Sequence, residues 1–323
     1  MSVLARTLKV NPAKLARSNL SIWRPTLLSQ SRLIVLNSGQ GPATRGLRTS
    51  HEVRNKTVCS RSYTTQPQMA TAPPELKHTL TPALLAKVRT FWFDHVSDEN
   101  SLILPTGPEM QRWFSRDVKF DKACVAQFQP ALEAIISSDA TSEQILAAVN
   151  TSDPLNWLGL VLLLDQVPRN CYRGDESRLV FERFDPLASA IALQALDLGI
   201  PSQSPIRYKL SYRFWFHLPL MHSESLNVHQ RAVTIHEETA QDVEDFLRSD
   251  RDSLDEYENK CFDVLVERQD GMRAWLAQTL DFEKRHLVII ARFGRYPHRN
   301  GAMGRESTRE EMEYLENGGE TFG

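Results

Sequence analysis

Seven consecutive positions, Leu158 to Leu164, carry no polar side chain, and the next residue is Asp165. By periodicity alone such a run fits a buried strand or a buried helix. The flanks decide: Ser152-Asp153-Pro154 is a helix start and Pro168 a stop. A helix that is apolar on every side has to be enclosed by other elements. This one is therefore expected at the centre of a helical body, ending on a carboxylate that needs a partner.

The rest of the chain supplies the enclosing helices. Thr81-Pro82 is an N-cap with proline at the first helical position, and Leu84, Leu85, Val88, Phe91, Trp92 and His95 follow at helical spacing. Thr141 with Gln144 and Ser307 with Glu310 are spaced as capping boxes. Asp185-Pro186 opens a helix that Gly199 ends, and Asp281 opens another that stops at Gly294. The acidic stretch from His236 to Glu267 spaces its apolar residues by threes and fours, as one or two amphipathic helices would. Hairpin signals are missing, since Asp270-Gly271 sits between helical patterns. The expectation is an all-α fold: one domain of stacked antiparallel helices over residues 75–323, about nine to eleven of them at typical helix lengths. No clear repeat near a 34-residue period is visible.

The formal charge of −2 averages two unlike segments. Residues 1–74 hold eleven Lys/Arg against one acid, a charge of +10, and residues 75–323 hold 27 Lys/Arg against 39 Asp/Glu, a charge of −12. Residues 1–68 are Arg-rich, Ser-rich and free of acid before Glu52, the composition of a mitochondrial transit peptide. Arg61-Ser62-Tyr63-Thr64 is similar to a matrix-processing site, and matrix is the expected address. Met69, followed by Ala70-Thr71-Ala72-Pro73-Pro74, is a second start that would give a leaderless cytoplasmic product. No stretch reads as a membrane-spanning helix. A body this acidic is a poor nucleic-acid binder. The four cysteines have no paired spacing, which argues against a disulfide framework or a zinc ribbon.

Three segments place polar groups among apolar ones. The first runs from Leu163 to Gly174, where Arg169 and Arg173 are the cations nearest in sequence to Asp165. A buried carboxylate is costly without such a partner. The second runs from Arg213 to Glu224: His217 lies among aromatics as a core histidine would, and His222 precedes Glu224 by two residues, so a loop or helix start has to bring them together. The third is basic. His286 faces the core with Ile289, Ile290 and Phe293, and after Gly294 the residues Arg295, His298, Arg299, Asn300 and Arg305 crowd a short loop. Guanidinium groups bind carboxylate and phosphate bidentately, but arginines also complement helix ends and tie tails to acidic helices. Glu283-x-x-His286 occurs once, whereas a di-iron bundle needs it twice. No metal site is expected, no nucleotide or hydrolase signature is present, and the cofactor is unknown.

These segments carry a resemblance. The strings FWF at Phe91–Phe93, LLLDQxPRNxYRG from Leu162 to Gly174, PLMHSE from Pro219 to Glu224 and RFGRxPHRNxxxGRESTxEE from Arg292 to Glu311 are similar to those of a bacterial and fungal family known as domain of unknown function 924. The resemblance covers roughly residues 88–323. The chain departs from it at Val167, where Phe is usual, and at Ser225, where an acid commonly follows the Glu. The family implies a tetratricopeptide-like helical fold and no known reaction.

Two functional readings follow. In the first, the three segments line one pocket for a small anionic ligand. Arg169, Arg173, His286, Arg295, Arg299 and Asn300 bind it, and His298, His222, Glu224 and Asp165 are the candidates for acid–base catalysis. In the second, the chain is a non-enzymatic scaffold that presents a groove to a protein partner, with the polar motifs locking its turns. Groups converging on an open cavity favour the first reading, and fully paired groups without a cavity favour the second.

Overall fold

Caps, prolines and glycines set most of the helix boundaries. The computed structural model describes residues 70–322. The principal helices are α1 (Pro82–Phe93), α2 (Val118–Ser138), α3 (Pro154–Asp165), α4 (Asp185–Asp197), α5 (Leu226–Phe246), α6 (Glu256–Glu267), α7 (Gln269–Phe293) and α8 (Arg309–Glu316). No strand occurs among the described residues, and none of their helices is long and apolar enough to cross a membrane. The fold class is all-α, as the sequence pattern requires. The basic segment 1–68 read above as a transit peptide, the candidate processing motif at Arg61, the second start at Met69 and Cys59 lie outside the described residues.

The local signals are mostly where the residues put them. Thr81 Oγ1 accepts from Leu84 N, and the Thr141–Gln144 capping box is complete. Gly199 and Gly294 take left-handed φ of 66° and 67° where the chain leaves α4 and α7. Two boundaries differ. Asp281 does not begin a helix, because α7 is continuous from Gln269 and carries Asp281 on an exposed position of its outer face. The last capping box uses Thr308 and Glu311 rather than Ser307 and Glu310, one residue later. The acidic stretch is split by a loop, and α6 restarts with its own capping box from Asp255 to Glu258. Prolines divide the chain further than expected and add short helices such as Val167–Cys171 and Leu218–Met221.

Helix α3 is the hub: every residue from Asn156 to Asp165 is buried. It packs on α1 and α4, while α5 packs along α7. The α1–α3 contact is close, because a Cβ placed on Gly159 would lie 2.6 Å from the Leu85 carbonyl oxygen. An aromatic cluster of Trp92, Trp113 and Trp215, with edge-on ring centroids 5.2–5.3 Å apart, fills one side of the core. Cys124, Cys171 and Cys261 are free and buried. Burial raises the thiols of Cys171 and Cys261 to about 12 and about 11, so they behave as small apolar residues.

Candidate functional site

The carboxylate at the end of α3 has no contact with solvent. Its partner is His222, at the end of the Leu218–Met221 helix, whose Nδ1 lies 2.7 Å from Asp165 Oδ1. Gln166 Nε2 donates to the other oxygen at 2.5 Å, and Arg169 stands 3.8 Å away. Burial alone would raise the Asp165 carboxyl; His222, Arg169 and Gln166 outweigh it and hold the group below its ordinary value. Burial, helped by Arg169, lowers the His222 imidazole against the pull of Asp165. The pair at neutral pH is thus a carboxylate and a neutral ring. Because a carboxylate only accepts, Nδ1 carries the proton.

Arg169 also donates to Asp185 at the start of α4, and Arg299 approaches the other Asp185 oxygen at 3.2 Å. Arg299 donates to the His222 carbonyl at 3.0 Å and lies over the Phe181 and Tyr296 rings at 4.6 and 4.4 Å. Asp165, Asp185, Arg169, Arg299 and His222 therefore form one buried network built from four distant stretches of chain. The ligand atoms of Asp165, Asp185 and His222 come within 4.8 Å of one another. The Arg169 guanidinium sits between the two carboxylates and fills the cationic role there.

Two clefts border this network. The first, about 380 Å³, is lined by Arg116, Arg169, Arg173 and His298, with Tyr172, Val180, Phe181 and Phe322 as its apolar wall. No carboxylate lines it. Arg173 is held from behind by Asp121, at 3.2 and 2.8 Å, and by Asn170. Burial, reinforced by Arg299, pushes the His298 imidazole down to about 4. The Phe322 backbone comes near its ring, but neither ring nitrogen completes a hydrogen bond. The second cleft, about 360 Å³, is lined by Asp185, His222, Glu224 and Arg299, with Pro186, Leu193 and Met303 among its apolar residues.

Not every sequence-derived candidate reaches a cleft. Glu224 lines the second cleft but is held by Arg305, at 2.6 and 3.0 Å, and by the Tyr296 amide, rather than by His222. His286 is buried, donates from Nδ1 to the Phe282 carbonyl at 2.7 Å, stacks on Phe322 at 3.6 Å, and lines neither cleft. Arg295 makes a two-bond pair with Glu311, and that hydrogen bonding holds the Glu311 carboxyl near about 2. Asn300 donates to Ser307 and Glu311 and closes the same loop. Arg295 and Asn300 lock the 294–311 loop onto α8. His217 packs edge-on against His236 at 4.5 Å, a core histidine as expected.

Sequence reasoning missed several residues. Asp185 was legible only as a helix start, although two basic segments each held an arginine in need of a counter-charge. Arg116 and Phe181 lie in stretches with no motif. His229 is wholly buried between Glu283, at 2.6 Å, and the Ser223 carbonyl, at 2.8 Å. The carbonyl can only accept, so Nε2 carries a proton. Burial raises the Glu283 carboxyl, which His229 only partly offsets.

No curated protein matches the chain. A solved structure of a protein of unknown function from Agrobacterium tumefaciens is similar, at 28% identity over 73% of this chain and 98% of that one, with a TM-score of 0.47. A family model matches residues 88–319, most of the chain and all of the polar network just described. The chain belongs to the family described as "Bacterial protein of unknown function (DUF924)".

Proposed function

We propose that the first cleft binds a small carboxylate or phosphate anion that carries an apolar group. One observation supports this above the others: three arginines line the cleft and no carboxylate does. Arg169 and Arg173 are pinned by carboxylates behind them, which fixes their remaining N–H groups before a ligand arrives and lowers the ordering cost of binding. Arg116 is exposed, and no carboxylate among the described residues pairs with it. His298, neutral at pH 7, adds a hydrogen-bonding group without repelling or attracting charge. The aromatic wall accounts for the apolar part of the ligand, and the volume falls in the range of small-molecule sites.

Titration of the protein with phenyl phosphate and with benzoate, followed by calorimetry, tests this reading. Binding should weaken about fivefold in Arg116→Ala, as expected for loss of roughly 1 kcal/mol from a solvent-facing charged contact. No heat from either anion at millimolar concentration, or equal binding by the variant, would reject the site.

The basic, acid-poor composition of residues 1–68 supports import into the mitochondrial matrix for the form that starts at Met1. N-terminal sequencing of the mature protein should then find an end after Arg61. A mature protein that keeps its first sixty residues would reject import processing.

A further inference from the structure

The second cleft differs from the first in charge. Its carboxylates and the one behind His222 (Asp165, Asp185 and Glu224) are matched by three guanidinium groups, those of Arg169, Arg299 and Arg305. Nothing there asks for an ionic ligand. What remains is the outer edge of the His222 ring. Nδ1 is engaged by Asp165, and Nε2, on the opposite edge, has no hydrogen-bond partner among the described residues, while the residue lines the cleft. A buried carboxylate that fixes an imidazole by one nitrogen leaves the other as an aimed lone pair.

We infer that His222 is a proton acceptor for an uncharged, hydroxyl-bearing ligand with an apolar body, seated in the second cleft, and that Asp165 is its positioning residue. In the transfer, the ligand O–H bond breaks, an N–H bond forms at Nε2, and the electron pair stays on oxygen. The imidazolium that results faces the Asp165 carboxylate, which stabilises it, as the acidic member of a hydrolase triad does. Gln166 and Arg169 hold Asp165 so that it keeps this role. The inference goes beyond the anion reading of the first cleft and does not depend on it.

The test is nitrogen NMR on the full chain with labelled histidine, with His222→Gln identifying the His222 signals. At pH 7 His222 should show a protonated Nδ1 and a bare Nε2, and Asp165→Asn should let the other tautomer appear. Titration with 1-hexanol should then move the bare-nitrogen signal to a saturating limit. A proton on Nε2, a ring already doubly protonated at pH 7, or a bare nitrogen that 1-hexanol leaves unmoved overturns the inference. The wild-type spectra decide this even where Asp165→Asn folds poorly, and they are read independently of calorimetry on the first cleft.

Discussion

Replacing Asp185 with alanine should lower folding stability by about 3–5 kcal/mol, the usual cost of breaking a buried ion pair from one side. Asp185 is 3% exposed and serves two arginines, of which Arg299 is equally buried. Truncation leaves both guanidinium groups facing each other with no anion between them, so repulsion adds to lost attraction. Asp185→Asn keeps the volume and one acceptor and should cost less than the alanine. Urea unfolding of both variants beside Arg116→Ala, an exposed control expected within about 0.5 kcal/mol of wild type, checks the ranking. Equal stability of Asp185→Ala and the control would show that solvent reaches the network and screens it.

The second large effect is steric. Alanine is a better helix former than glycine by about 1 kcal/mol, so on propensity alone Gly159→Ala should stabilise α3. It should instead destabilise the protein by about 2 kcal/mol. The new methyl would stand 2.6 Å from a backbone carbonyl and 2.9 Å from Leu85 Cβ, and neither can swing aside as a flexible side-chain tip can. Relief requires α1 to move off the hub helix. Thermal unfolding supplies the check: a rise in Tm would mean that the helices separate at little cost.

How much of this was legible in the sequence follows from the range of each interaction. The central position of α3 could be read because burial on all sides is written in consecutive residues. Caps at Thr81 and Thr141 were legible for the same reason, since a cap and its acceptor lie three residues apart. Asp281 misled because an acid inside an amphipathic helix and an acid at its start look alike over a short window. Among the polar groups, the sequence pointed to the right segments but not to the right pairings. It placed Arg169 near Asp165 and Arg299 in a basic loop, yet the carboxylate they share, Asp185, is sixteen residues from one and far beyond local reach of the other. It offered Glu224 as the partner of His222, where the fold supplies Asp165 and gives Glu224 to Arg305. Arg295 and Asn300 looked like ligand groups because local density of arginine and amide is the same signal for a pocket and for a locked loop. Which one forms depends on Glu311, whose position is decided by where α8 returns.

One wall of the first cleft has a consequence for how the cleft can be lost. Thr321 and Phe322 line that cleft, and Phe322 stacks on His286. Neither residue belongs to a helix, so this wall is held by its side-chain contacts rather than by a backbone ladder. The hub helix and the charge network do not run through it. A protease that cuts before Thr321 would therefore strip one side of the cleft and leave Asp165, Asp185, Arg169, Arg299 and His222 in place.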